Sequence, residues 1–378
     1  MIDLQNPNPL YRQIVADIKS RIAAGQLGKD EKVGSHQQLA EQYGVSLITV
    51  KKALSELINQ GILYSRVGKG TFVAASSPFV TQSNKTIGIV LRDLKNPFFS
   101  LIVDSFEENA YSAGYHALLS TSSNRMDREE TQIRRFREMG VNALLIASMS
   151  HLYRATTTIR KLHEEAFPYV MVSYVQDQDI FYVGTDHEKG AFLATEHVIN
   201  LGYERIGYIN GEQGSLLGEL RKKGYVAALK HYGKPINEAH VFRLRLKGGE
   251  HDYQSGYEVG ERFVNLPGRP EAMFIYNDLS ALGFQKAVLS YGMRVPEDVA
   301  MVGFDNIKRG RIAPVPLTTV AQPTSEIGRI AFDSLSKRIA GVNTATRTIL
   351  APKLVVRSSC GAELSGKSSQ VEEGSVVD

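Results

Sequence analysis

Residues 34–73, GSHQQLAEQYGVSLITVKKALSELINQGILYSRVGKGTFV, decide how the first fifth of this chain folds. The stretch reads as a short helix, a tight turn, a second helix and a two-stranded wing. Leu39, Ala40 and Tyr43 give the first helix an apolar edge, Gly44 breaks it, and Ser46 stands where a side-chain oxygen caps the next helix. In that second helix Val50, Ala53, Leu54, Leu57 and Ile58 recur at i, i+3, i+4, i+7 and i+8, one buried stripe. Left outside the stripe are Ser46, Leu47, Thr49, Lys51, Lys52 and Ser55. A free face that is short, polar and basic at its N-terminal half fits a major groove. Gly61 ends the helix, and residues 62–64 and 71–73 read as strands. Between them Arg66, Gly68, Lys69 and Gly70 make a thin, positive hairpin tip suited to phosphates or a minor groove.

The composition agrees with a nucleic-acid partner for this end. Residues 1–80 hold nine Lys/Arg against six Asp/Glu, a local charge of +3, whereas the other 35 basic and 34 acidic residues nearly cancel. At 378 residues and 43% apolar content the chain holds two or three domains with real cores. One cysteine, Cys360, excludes an internal disulfide framework, and the histidines show no metal-ligand spacing, so neither a metal nor a cofactor is expected. The first residues lack a basic and apolar leader, and no apolar run approaches the ~18 residues of a membrane span. A soluble, cytoplasmic protein is expected.

Together with Pro9-Leu10-Tyr11 and the helix after it, residues 34–73 resemble the winged helix of the GntR regulator family. Ser35, Ser46, Thr49, Val50 and the run Gly68-Lys69-Gly70-Thr71-Phe72-Val73 carry the resemblance. It implies double-stranded operator DNA as partner, met by Ser35, His36, Gln37, Ser46, Leu47, Ile48, Thr49, Lys51, Lys52, Arg66, Gly68 and Lys69. Gln37, Leu47 and Lys51 stand where that family has arginine. Arginine reads guanine with a two-pronged fork, which Leu47 cannot do, so the family's common half-site does not carry over.

Residues 75–85 are polar and Pro-broken and read as a linker, closing a first domain of residues 1–74. From Thr86 the texture changes to apolar runs of about six residues separated by amphipathic helices, as a parallel sheet covered on both faces produces. The runs TIGIVLRD (86–93), ALLIAS (143–148), YVMVSY (169–174), RIGYIN (205–210), AMFIYN (272–277) and VAMVGF (299–304) are among them. There are too many for one sheet, and two doubly wound lobes with a cleft at their strands' carboxyl ends are expected. Residues 86–360 resemble the LacI/galactose-repressor regulatory domain, which is of the periplasmic-binding-protein kind. The resemblance rests on Asn96-Pro97-Phe98-Phe99, residues 186–210, Arg221-Lys222-Lys223-Gly224-Tyr225, Asn277-Asp278-Leu279, Val302-Gly303-Phe304-Asp305-Asn306 and Pro316-Leu317-Thr318-Thr319-Val320. Crossovers between lobes are placed near 185–187, 322 and 350, and a disordered tail at 361–378.

The pairing of these two domains is similar to that of arabinose-repressor-like regulators. It implies a homodimer and a small effector, a monosaccharide such as a pentose. A sugar presents directional hydroxyls and apolar ring faces, so its site needs charged forks, carboxylates, amides and an aromatic wall. By the resemblance Arg221 clamps hydroxyls, Asp305 and Asn277 accept and donate, and Gln322 sits at a crossover. Phe98 or Phe99 and Tyr174 form walls or serve the core, and Ser173 replaces a carboxylate common in the family. Asp278 is expected to cap a helix. Rival readings are a sugar-binding transport protein, an enzyme on a doubly wound fold, an activator, or a regulator answering to a nucleoside or a phosphorylated sugar. Gly68-Lys69-Gly70-Thr71 echoes a phosphate loop, but Leu63 occupies its first glycine's place, and no assembled catalytic set is legible.

Overall fold

A computed structural model describes residues 9–59, 61–66, 69–74, 85–94, 97–148, 153–245 and 252–363. The chain divides into two units, Met1–Lys85 and Thr86–Asp378. Gly68, nearly all of the expected linker and most of the expected tail lie outside the described residues. The packed chain runs past the expected boundary at 360, since Ala362 is buried.

In the first unit, α1 (Leu10–Ala23), α2 (His36–Tyr43) and α3 (Leu47–Asn59) enclose a core of Ile14, Ile18, Leu39, Val50, Leu54 and Leu57. Ser35 and Gln38 close a capping box at the start of α2. Ser35 Oγ accepts from the Gln38 amide at 3.1 Å, and Gln38 Oε1 accepts from the Ser35 amide at 2.8 Å. Gly44 ends α2 at φ 65°, a conformation open to a residue without Cβ. Ser46 Oγ then accepts from the Thr49 amide at 3.3 Å to begin α3. The wing differs from the expected two strands. β2 (Leu63–Arg66) and β3 (Gly70–Val73) pair as a hairpin, and β1 (Lys32–Gly34) adds to the other edge of β3 as a third, antiparallel strand.

The second unit is two lobes, each a six-stranded sheet with helices on both faces, which is the expected fold class. In the N-terminal lobe β4 (Thr86–Leu91), β5 (His116–Thr121), β6 (Ala143–Ile146), β7 (Tyr169–Met171) and β8 (Tyr182–Thr185) alternate with α4 (Pro97–Ser112), α5 (Met126–Glu138) and α6 (Thr157–Glu164). The C-terminal lobe has α7 (His187–Asn200), β9 (Ile206–Asn210), α8 (Leu216–His231), β10 (Val241–Arg243), α9 (Asp252–Val264) and β11 (Ala272–Ile275). It continues with α10 (Asp278–Ser290), β12 (Ala300–Phe304), α11 (Lys308–Arg311) and β13 (Thr318–Ala321). The chain then returns through α12 (Thr324–Ile339) and β14 (Arg347–Leu350) to the first lobe and ends with β15 (Lys353–Val355) in the second. The sheet orders are β14-β8-β7-β6-β4-β5 and β10-β9-β11-β12-β13-β15, parallel throughout except for β15. Segments therefore pass between the lobes after β8, after β13 and after β14.

Successive strand residues feed opposite cores, which is why the runs are apolar without alternation. Ile89 and Leu145 face one core of the first lobe with Phe106 and Ile327, and Val90 and Leu144 face the other with Ile133 and Ile159. In the second lobe Phe274 and Val302 pack with Tyr208 and Tyr225, and Met273 and Met301 pack with Phe263 and Phe284. Two glycines set one approach that matters for the cleft. A Cβ on Gly283 of α10 would stand 1.9 Å from the Tyr253 carbonyl oxygen, and one on Gly256 of α9 would stand 2.1 Å from that of Ser280. Only with both glycines can α9 and α10 lie this close.

Candidate functional site

The carboxyl ends of the strands of both lobes face a cavity of about 680 Å³. Phe98, Phe99, Ser173, Tyr174, Arg221, Asn277, Asp305 and Gln322, the eight residues expected from sequence, all stand on its wall.

Arg221 projects from α8 and is 3% exposed. Its Nη1 donates to the Tyr276 carbonyl, Nη2 lies 3.4 Å from His187 Nδ1 and 3.7 Å from Asp305 Oδ1, and the guanidinium stacks 3.7 Å over the Phe304 ring. Burial, reinforced by the Arg221 charge, holds the His187 pKa well below its ordinary value, so a neutral imidazole is available to accept from the guanidinium. Asp305 follows β12 with φ 118°, strained for a residue with a side chain. Gln322 Nε2 donates to its Oδ1 at 2.7 Å. Burial pushes the Asp305 carboxyl up to about 7, against the pull of Arg221.

The helix cap is the reverse of the expected one. Asn277, not Asp278, caps α10: its Oδ1 accepts from the Ser280 amide at 2.9 Å and the Ser280 hydroxyl at 2.7 Å. Its Nδ2 donates to Asp252 Oδ2 at 2.6 Å. Asp278 is fully buried and accepts from the Ile307 amide at 2.9 Å and Thr319 Oγ1 at 2.6 Å, pinning the loop that follows Asp305. Burial raises its carboxyl to about 6.

From the other lobe Ser173 Oγ accepts from the Ser148 amide at 2.8 Å, so its oxygen supports a strand end. Tyr174 packs edge-on between Tyr153, Tyr182 and His187, which makes it a wall. Phe99 is 6% exposed and belongs to the core as well as the wall, while Phe98 is half-buried edge-to-face against it. Sequence reasoning missed Thr185, His187 and Asp252, all on the wall. His187 lies in the run 186–210, but the only signal that a histidine shows in sequence, metal-ligand spacing, is lacking there.

Three buried polar atoms on this wall have no hydrogen-bond partner among the described residues: Arg221 Nε, Gln322 Oε1 and Thr185 Oγ1. One donates, one accepts and one does either. A buried polar atom left unpaired costs about 1–3 kcal/mol, so a ligand supplying hydroxyls between the lobes would relieve all three.

The Asp305 carboxyl carries a pH signature. With a folded-state value of about 7 against 3.8 unfolded, the native state binds more protons between these values, and the Asp305 contribution to stability rises as pH falls through that window. The difference in unfolding free energy between wild type and Asp305→Asn should therefore favour wild type more at pH 5 than at pH 7.5, by about 2 kcal/mol. Urea unfolding of both proteins at the two pH values measures it. A difference independent of pH would mean that the carboxyl is already ionised.

In the first unit Ser46, just before α3, and Leu47, Ile48 and Lys51 on it are exposed, with Ile48 79% exposed. Thr49 is half-buried with its hydroxyl 2.8 Å from that of Ser46, and the Lys52 ammonium sits 4.1 Å over the Tyr11 ring. The Arg66 guanidinium, at the turn end of the wing, lies 5.2 Å from the centre of the Tyr64 ring. His36 and Gln37 are exposed in the first turn of α2. A shallow basin of about 250 Å³ joins Ser35 and His36 to Lys69 and to Lys32 of β1, a cation that sequence reasoning passed over. A helix N-terminus beside two lysines is a place for a phosphate oxygen.

Two family models match the chain: bacterial regulatory proteins of the gntR family over residues 10–73, and the periplasmic binding protein-like domain over residues 195–360. An arabinose metabolism transcriptional repressor of Geobacillus stearothermophilus is 31% identical over 360 residues, covering 93% of this chain and 97% of that protein. Among solved structures, a LacI family transcriptional regulator from Enterococcus faecium with bound ribose has a TM-score of 0.63 at 25% identity. The match covers 73% of this chain and 98% of that one. Transcription regulator CcpA of Lactococcus lactis has a TM-score of 0.65 at 25% identity, over 73% of this chain and 99% of that one. No helix among the described residues is long and apolar enough to cross a membrane. The α2–α3 surface, the basic wing and the unsatisfied cleft thus occur in a chain that belongs to the GntR-type transcriptional regulators built with a periplasmic-binding-protein-like domain.

Proposed function

We propose that this protein represses carbohydrate-utilisation genes as a homodimer and that a small sugar in the cleft releases it from its operator. The observation that carries this reading is the set of three polar atoms, Arg221 Nε, Gln322 Oε1 and Thr185 Oγ1, that have no hydrogen-bond partner among the described residues, in a cavity walled by rings. A polyhydroxylated ligand satisfies such a set while stacking an apolar face on Tyr174. Because the wall is drawn from both lobes, a ligand that touches both favours one lobe arrangement, and its differential affinity for two arrangements is what shifts operator binding. The cavity's carboxyls and guanidinium serve binding in this reading, and no reaction is assigned to them.

A thermal-shift screen of monosaccharides tests the ligand half. A sugar present at ~100 times its dissociation constant adds ~2.7 kcal/mol of stability. The DNA half is tested on duplexes selected from random sequence. Lys69→Ala should weaken binding to every selected site alike and flatten its dependence on salt by about one ion, because a wing lysine meets phosphate rather than base. Gel shifts over a salt series measure this. Full affinity at every salt concentration would remove Lys69 from the interface.

A further inference from the structure

Asn277 lies on the cavity wall, yet its amide oxygen and one of its two amide N–H groups are engaged inside the protein. Its oxygen holds the Ser280 amide and hydroxyl, and its nitrogen holds Asp252 Oδ2 at 2.6 Å. Beyond its second N–H, what Asn277 offers the cavity is an oriented carboxylate. Asp252 opens α9 and stands on the same wall, and its second oxygen, Oδ1, has no hydrogen-bond partner among the described residues. A carboxylate in the first turn of a helix is ordinary in itself. This one is turned toward a neighbouring helix and clamped there by a short hydrogen bond, with Gly256 and Gly283 holding the two helices at backbone contact.

We infer that Asp252, aimed by Asn277, is the residue through which the C-terminal lobe selects its ligand, accepting hydroxyls of an uncharged polyol and repelling a phosphate or carboxylate at that end of the cleft. The inference rests on the sugar-effector reading above. Arg92 and Arg221 face the cavity, but so do Asp93, Glu212, Asp252 and Asp305. Arg221 is already engaged with Tyr276 and lies beside Asp305. No surplus of positive charge remains on this wall for an anionic ligand.

The test titrates L-arabinose, D-ribose, D-xylose and D-ribose 5-phosphate calorimetrically into the full-length protein and its variants. The wild type should bind a free pentose and bind the phosphate more weakly than ribose. Asp252→Asn, which keeps the size and an acceptor for Asn277, should bind that pentose about tenfold to a hundredfold more weakly. Its sugar-free melting temperature and operator affinity should match wild type. Asn277→Ser keeps a helix cap but lets go of Asp252. It should weaken the same sugar, and the double variant should be no weaker than Asp252→Asn alone, since the two act as a unit. Unchanged sugar affinity in Asp252→Asn would overturn the assignment and leave the effector reading standing, and additive losses in the double variant would overturn the positioning role of Asn277. Tighter binding of ribose 5-phosphate than of ribose would overturn the exclusion of anions. Binding of none of these ligands by the wild type would overturn the inference together with the effector reading.

Discussion

Arg221→Ala should hold operator DNA as tightly as wild type and fail to release it when sugar is added. Arg221 is engaged on several sides at the cavity wall, donating to the Tyr276 carbonyl, lying beside His187 and Asp305, and stacking on Phe304. Its Nε is also one of the buried atoms without a hydrogen-bond partner among the described residues. Truncation removes that donor and leaves the Asp305 carboxyl without its nearest cation. Losing a hydrogen bond from a charged donor costs about 1.5–3 kcal/mol, which for sugar affinity is a loss of about one to two orders of magnitude, and the uncompensated Asp305 carboxyl costs fold stability besides. Arg221→Lys separates charge from geometry. An ammonium can still balance Asp305, but it has neither a second fork nor an Nε, so affinity should fall nearly as far while the fold loses less stability. Calorimetry with the sugar that stabilises wild type, and gel shifts with and without it, measure both halves. Normal sugar affinity in Arg221→Ala would take the cavity out of effector binding. Lost operator binding without sugar would mean that Arg221 supports the fold instead.

The elements legible in the sequence were those whose period is written in apolar residues. The stripe Val50, Ala53, Leu54, Leu57 and Ile58 gave α3, and runs such as 143–148 and 272–277 gave strands because both faces of a parallel strand are buried. Short strands held mainly by their neighbours escaped. β1, only Lys32-Val33-Gly34, has one buried residue and owes its existence to pairing with β3. β8 and β10, four and three residues long, are likewise defined by the strands beside them.

The cleft was legible to the extent that motifs end where strands end. Asp305 follows β12, Asn277 follows β11 by one residue, and Gln322 follows β13, so knowing the sheet brings them to one rim. Pairing was not legible. Asn and Asp in Asn277-Asp278 are both good caps, and only the burial of the Asp278 carboxylate between the Ile307 amide and Thr319 decides between them. His187 looked idle because its partner, Arg221, is 34 residues away and met only through the packing of α7 on α8. Asp252 lies 25 residues before Asn277, and no spacing rule joins them.

That last juxtaposition depends on two residues with no side chains at all, and Gly283→Ala should show it through both stability and binding. The added methyl would fall 1.9 Å from the Tyr253 carbonyl oxygen and 2.9 Å from the Tyr257 amide nitrogen. These are backbone atoms of a helix, so the strain cannot be relieved by turning a side chain. α9 must move away from α10 by an ångström or more, opening the packing around Phe263 and Phe284. Overpacking a tight core costs about 1–3 kcal/mol, and the upper end applies where backbone meets backbone. Alanine's better helix propensity returns less than about 1 kcal/mol, so the sign is not in doubt. The same movement draws Asp252 away from Asn277 and should weaken sugar binding although Gly283 touches no ligand. Gly292→Ala is the control for α10, since that glycine lies just past the helix, at φ 78°, with nothing near its absent Cβ. It should lose about 1 kcal/mol to strain and nothing in sugar affinity. Urea unfolding and sugar calorimetry on both variants give the comparison. Wild-type sugar affinity in Gly283→Ala, alongside a loss of stability, would show that Asp252 reaches the ligand by no path through this helix pair.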